Sequence, residues 1–338
     1  MKQTTNILSG KTKAAILLTV FVISLLLLLL AFWACRYCIK AEAHARYTGV
    51  MNVASEKIAK TISGMEMNAM NVFDEVQKHM DSPEAVVEAL KSKTSLNPDV
   101  RGYFAAFEPN HFPEKGRWYE PYVHQTDTSS QFQVSQVGSA RHDYTQSEWY
   151  VKAKELKMSF WSDPYYYYDG TSISGHYCTF VEPIYDETGK LACVCGADMT
   201  FEWLTKELKQ IDYSSKDDKL MNKYLLNEHL NYYTVVLNSD GSCIAYPEGK
   251  SVSMEDENVI SNLKLRQSGT VDMKVNGEPV VVYYGPISHI GWSVAIVVPK
   301  DDIQVSVQTM GSVLLVIMAL GMIVVWVVLR RVRYAEVV

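Results

Sequence analysis

Two uncharged stretches of twenty residues, 14–33 (AAILLTVFVISLLLLLLAFW) and 310–329 (MGSVLLVIMALGMIVVWVVL), limit what this chain can fold into more than any other feature. At about 1.5 Å per helical residue, each covers the roughly 30 Å hydrocarbon core of a bilayer. Both are expected to be transmembrane helices, and the glycines of the second run are of a kind that such helices tolerate. Lys2, Lys11 and Lys13 precede the first run, while Arg330, Arg331 and Arg333 follow the second. Basic flanks face the cytoplasm, so both ends are placed there. Arg36 and Lys40 oppose this, but basic clusters at both termini agree with an even number of spans. A cleaved signal peptide would need a small-x-small cleavage site, and a lipoprotein acylated at Cys35 would not carry bulky Phe32 and Trp33 just before it. The expected layout is a cytoplasmic N-terminus over 1–13, an extracytoplasmic segment over 41–306 and the start of a cytoplasmic tail over 330–338.

With 32 basic against 38 acidic residues and no basic block between the spans, nucleic acid is not an expected partner. A hydrophobic share of 48% supplies a sizeable core for the segment between the spans, and its length fits two modules or one elongated domain. The six cysteines do not form a framework. Cys193 and Cys195 share a strand face and cannot easily bridge each other. A bridge from Cys178 to one of them and buried free thiols both remain open.

Past the first span, Met51, Ala54, Ile58, Ile62, Met65, Ala69, Val72 and Val76 step by three or four, which predicts one long helix to about Met80. Such a helix, continuous with the membrane span, is able to carry a displacement along its length. Ser82-Pro83-Glu84 is a helix start, with Ser as N-cap and Pro at the first helical position. From Val100 the pattern turns to short strands: RGYFAAFEP, HYCTFVEPIYD and, after the turn at 187–190, LACVCGADM. Between them EWYVKAKELK is helical. A helix is expected from Thr200 as N-cap to Ile211, and a further one near 220–230. A second β-rich part follows, punctuated by Asn238-Ser239-Asp240-Gly241 and Asn276-Gly277 turns. The fold class is therefore α+β, with antiparallel sheets.

The stretch from Trp149-Tyr150 through Trp161-Ser162-Asp163-Pro164-Tyr165 and the hairpin VEPIYDETGKLACVCGAD to Asp198 resembles the membrane-distal module of a double Cache (dCache) sensor domain. VVLNSDGSCIAYP and YYGPISHIGWSVAIVVPKDDI resemble its proximal module. The resemblance implies two PAS-like modules along a long N-terminal helix, the distal one over about 97–212 and the proximal one over about 230–303. It further implies a two-pass bacterial transducer of the inner (cytoplasmic) membrane that binds a small molecule in the distal module and signals through its second span. The partners it implies are that ligand, the lipid bilayer, a second copy in a homodimer and a cytoplasmic output domain or protein. RRVRYAEVV reads as the start of a cytoplasmic extension that would carry such an output.

Amino-acid-binding members of that family carry Arg-x-Trp-Tyr, then Tyr-x-Asp after a proline, then an Asp closing the hairpin. Trp149, Tyr150, Tyr165 and Asp198 match this pattern. Ser147 stands where the arginine should be, and a serine lacks the charged fork that a carboxylate prefers. Arg141 is the nearest substitute. Tyr167 replaces the middle Asp, while Asp169 lies on the same strand face as Tyr165 and Tyr167. The resemblance thus assigns ligand contact to Trp149, Tyr150, Tyr165, Tyr167, Asp169 and Asp198. Aromatics and carboxylates without the arginine favour an amine, with an amino acid and an uncharged or other metabolite as the other expectations. Trp161 reads as core rather than pocket.

No phosphate loop, His-Glu-x-x-His pair or nucleophile elbow occurs, so neither a catalytic residue, a metal nor a cofactor is expected. A membrane-anchored binding or scaffold protein and a cell-surface enzyme are the alternatives to a sensor. The second span separates them, because a signal has to reach the cytoplasm whereas a binder or an enzyme needs one anchor.

Overall fold

The computed structural model describes residues 10–92, 99–126, 129–168, 174–216, 231–247 and 249–334. Its spine is α1 (Gly10–Lys78), a single helix of 69 residues and therefore about 100 Å long. No proline interrupts it, and Gly49 and Gly64 lie where a Cβ would meet nothing. All the residues of the expected stripe, from Met51 to Val76, are buried, and Ala43 and Tyr47 extend the buried face toward the apolar end. That end carries exposed leucines, among them Leu18, Leu26, Leu27 and Leu30.

After α1, Ser82 caps α2 (Pro83–Ser92) by accepting the Ala85 amide at 3.2 Å. The first sheet then forms from β1 (Val100–Phe107), β2 (Pro121–Thr126), β3 (Ser129–Gln136), β4 (Phe160–Trp161), β5 (Tyr165–Tyr168), β6 (Ser174–Tyr185) and β7 (Leu191–Thr200). Its order is β3-β2-β1-β7-β6-β4, with β5 also on β6, and every pairing is antiparallel. Strand alternation divides the side chains between two faces. Tyr103, Ala105, Phe107, Cys178, Phe180, Cys193, Cys195, Ala197 and Met199 pack toward α1, with Phe73 stacked on Phe180 at 6.2 Å. Phe104, Ala106, Val181 and Val194 face the other way, under α3 (Glu148–Leu156) and the turn that precedes it.

Helix α4 (Glu202–Lys216) leads to the second sheet. Thr200 was expected to cap this helix. Instead it pairs with Tyr177 at the end of the β6–β7 ladder, so its backbone is committed to the sheet and the helix starts two residues later. The helix expected near 220–230 lies outside the described residues. The second sheet runs β10-β11-β12-β8-β9, built from β8 (Tyr233–Leu237), β9 (Cys243–Ala245), β10 (Gly269–Val275), β11 (Glu278–Pro286) and β12 (Ser293–Pro299). One face packs on α1, where Tyr47 meets Tyr283 at 5.6 Å. The other is filled by Val235, Leu237, Val282, Ala295 and Val297 against Val259 and Leu263 of α5 (Glu257–Lys264).

Strand β12 passes without a linker into α6 (Lys300–Tyr334). Asp302 accepts the Asn231 amide at 3.0 Å, and Lys300 pairs with Asp272 at 2.9 Å, so the first turn of α6 is tied to the second sheet. Beyond it α6 runs beside α1, with Gly311 close to the Phe32 ring. Residues 311–328 have a mean hydropathy of 2.7, and no residue of that window is buried. The molecule is thus two antiparallel-sheet modules on a long N-terminal helix, flanked by two helices long and apolar enough to cross a membrane.

Candidate functional site

The first sheet builds a recess on its face away from α1. Gly102 of β1, Asp198 of β7 and Thr179 of β6 lie side by side in register. A Cβ at Gly102 would come within 2.6 Å of the Tyr122 ring, and one at Gly196 within 2.1 Å of the Phe104 ring. Glycine at these two positions lets both rings lie flat on the sheet and leaves the space above Asp198 open. Trp149, on the first turn of α3, packs across Phe104 at 4.9 Å, and Tyr167 meets His142 edge-on at 5.8 Å.

Asp198 is almost fully buried. Its Oδ1 accepts from the Thr179 hydroxyl at 2.6 Å and from the Tyr165 hydroxyl at 3.3 Å, and Tyr165 and Thr179 share a further hydrogen bond at 2.7 Å. Burial outweighs these donors and pushes the Asp198 carboxyl up to about 6. Proximity to this carboxyl adds to the burial that holds the Tyr122 and Tyr165 phenols neutral.

A second carboxylate faces the same space. Glu120 stands just before β2, fixed by the Phe107 amide donating to Tyr119 O and the Val137 amide donating to Glu120 O. Its side chain is 5% exposed, and Oε2 has no hydrogen-bond partner. The closest basic atom is His142 Nε2 at 3.7 Å, which is beyond hydrogen-bond reach. Burial lowers the His142 pKa, so the imidazole is neutral and not a countercharge. Burial, and then the neighbouring Asp198, raise the Glu120 carboxyl well above the ordinary range.

Phe104, Glu120, Tyr122, Val137, His142, Trp149, Tyr165, Tyr167 and Asp198 enclose about 50 Å³, room for a few waters or one small polar head group. A second cavity of 160 Å³ shares Trp149 and Tyr165 with the first and adds Glu148, Lys152, Phe160 and Asp163. A larger groove of 690 Å³ runs along the foot of the sheet, where exposed Glu202, Lys206 and Lys209 present charges of both signs to solvent. Its charges are open to water, whereas the two carboxylates of the small recess are buried. Among the described residues, no three His, Cys, Asp or Glu side chains stand close enough to hold a metal ion.

The structure brings Trp149, Tyr165, Tyr167 and Asp198 together around one cavity. Tyr150 is directed elsewhere: its hydroxyl donates to Glu108 at 2.8 Å and its ring packs on Tyr144. Neighbouring positions on a helix are separated by about 100°, so Trp149 and Tyr150 do not share a face. Asp169 lies outside the described residues. Arg141 is exposed and lines neither cavity, and so does not take the place of the missing arginine. Trp161 lies on the α1 face, where it packs on Phe180 and donates to Glu66 at 2.7 Å. Glu120 and Tyr122, which adjoin or belong to the β2–β3 hairpin, are not singled out by the sequence, whereas His142 is expected near the pocket and lines it.

Residues 86–206 match the family model described as the first PDC sensor domain of methyl-accepting chemotaxis protein-like receptors. Among solved structures, the extracellular domain of mmHK1S-Z3, described as a histidine kinase, covers 79% of this chain and 98% of its own at TM-score 0.62 and 16% identity. The ligand-binding domain of Mlp24, solved with asparagine, covers 81% and 98% at TM-score 0.54 and 15% identity. That of the Pseudomonas fluorescens chemoreceptor CtaA, in complex with L-isoleucine, covers 79% and 97% at TM-score 0.54 and 15% identity. No curated protein matches the sequence. At these identities the likeness is one of fold, and the fold is that of a double Cache sensor domain.

Proposed function

We propose that this double Cache-type domain senses an ammonium-bearing small molecule, held in the recess of the first sheet, and passes the signal across the inner membrane through α6. The observation that carries the reading is the pair of buried carboxylates, Asp198 and Glu120, around one aromatic-walled cavity. A buried carboxylate oxygen with no donor is costly, and an ammonium group supplies both the charge and the donors. Cation–π contact with Trp149 and the tyrosines adds about 0.5 to 2 kcal/mol. In this reading α1 and α6 cross the bilayer with both ends cytoplasmic, the site lies in the membrane-distal module, and a homodimer presents the signal to a cytoplasmic output. An α-amino acid is the second reading. Mlp24 and CtaA were solved with amino acids, and Lys152 in the outer cavity is a cation that its carboxylate can reach.

Binding of a cation needs both carboxylates ionised. Alkylamines stay protonated below about pH 9, so the pH dependence belongs to the protein. Asp198 has a folded pKa above its unfolded value, so its contribution to the stability of the empty domain is present at low pH and is lost as pH rises through about 6. Ligand affinity moves the opposite way and rises about tenfold from pH 5 to pH 8 from Asp198 alone. A thermal-shift panel of amines, amino acids, organic acids and nucleobases, run at both pH values, tests this. Amines are expected to stabilise the chain, and more so at pH 8. Stabilisation by organic acids alone, or a larger amine effect at pH 5, contradicts it.

A further inference from the structure

The two cavities share Trp149 and Tyr165 in their walls, and each has acidic groups: Asp198 and Glu120 inside, Glu148 and Asp163 outside. The inner space of about 50 Å³ accepts a head group and no more, and Trp149 and Tyr165, common to both linings, place the outer 160 Å³ next to it, where the rest of a longer ligand would lie. We infer that the ligand is an extended organic dication, a linear diamine or polyamine, with one ammonium between Asp198 and Glu120 and a second at the outer mouth by Glu148 and Asp163. This rests on the amine reading above and adds to it the length and second charge of the ligand.

The path suits such a molecule. Between the two acidic ends the walls are rings, Trp149 and Tyr165 on both sides of the partition and Phe160 beyond it, against which methylenes bury apolar surface. The inner end is built for a charge from outside: Glu120 Oε2 is buried without a hydrogen-bond donor, and neutral His142 does not offset it. The outer end is solvated, with Glu148 and Asp163 both exposed, so it selects by modest attraction and is compatible with ligands of more than one length. Among the described residues, Lys152 is the one cation in the lining of the outer cavity, and it leans over the Phe160 ring at 4.9 Å. It repels a second ammonium and would attract a carboxylate, which makes it the residue that separates a diamine from an amino acid.

Isothermal titration of the full chain in nanodiscs with butylamine, 1,4-butanediamine and 1,5-pentanediamine at pH 8 tests the inference. At least one diamine is expected to bind about threefold to fivefold more tightly than butylamine. The double substitution Glu148→Gln with Asp163→Asn alters two exposed side chains, so the fold is preserved. It should bring the diamines down to the affinity that the same variant has for butylamine. Lys152→Gln should strengthen diamine binding. Equal affinities for butylamine and both diamines, or a double variant that still prefers diamines, overturn the dication inference while the amine reading stands. Absence of binding by all three amines overturns both.

Discussion

Asp198→Asn is expected to weaken amine binding by about a hundredfold or more, the usual cost of removing one partner from a buried, hydrogen-bonded charge pair. The same substitution is expected to leave the empty domain at least as stable as the parent. Asn Oδ1 still accepts the 2.6 Å hydrogen bond from Thr179, while the burial that pushes the carboxyl up to about 6 no longer has a charge to penalise. A shift of that size corresponds to roughly 2 to 3 kcal/mol at pH 8, which for a domain of this size is a rise of several degrees in melting temperature. A structural aspartate behaves in the reverse way, losing stability when neutralised. Thermal melts and calorimetric titration of the variant at pH 8 read both effects. A drop of several degrees with amine affinity intact would assign Asp198 to the scaffold.

The second large effect concerns transmission. Thr179, which holds Asp198, also exchanges hydrogen bonds with Ser162: its amide donates to Ser162 Oγ and its carbonyl accepts the Ser162 amide, each at 2.9 Å. Trp161, next in the chain, donates to Glu66 of α1 and lies 6.2 Å from Trp292. Trp292 is buried at the head of β12, and β12 runs without a break into α6. A movement at the carboxylate therefore has a packed route to α6. Trp292→Leu is expected to keep amine affinity within about threefold, because the ring is remote from the cavity, and to abolish the ligand-induced change at the start of α6. Hydrogen exchange of the full chain in nanodiscs, with and without amine, reads peptides over 293–306. Trp161→Phe, which spares the ring contact but removes the Glu66 bond, serves where the first variant folds poorly. Intact ligand-induced changes in both variants would show that the signal travels elsewhere, along α1.

How much of this was legible in the sequence follows the physics of each element. The stripe from Met51 to Val76 is periodic and uninterrupted, and its whole length is buried as read. Strands β1, β6 and β7 were legible because both faces are covered, giving nearly continuous apolar runs. The β2–β3 hairpin was not: PYVHQT and SSQFQVSQ carry few aliphatic residues and look like loop. With that hairpin went Glu120, whose burial depends on the Gly138 turn and the α3 region folding over it and leaves no local mark. Trp149 and Tyr150 were read as a pair from a motif, yet helical geometry sends one to the cavity and the other to Glu108. Thr200 was read from its side chain as a cap, whereas its backbone pairs in the sheet. The carboxylates are distant in sequence, and only the register of β2 and β7 on either side of β1, with Gly102 between them, brings Asp198 and Glu120 to one recess.

The central claim is that these two carboxylates form one site for an ammonium group. A crystal structure of residues 41–306 grown with butylamine tests it most directly. The account predicts the amine nitrogen within about 3 Å of both Asp198 and Glu120 Oε2, beneath the Trp149 ring. Amine bound in the 690 Å³ groove at the foot of the sheet, with the recess between Asp198 and Glu120 still closed, would contradict it.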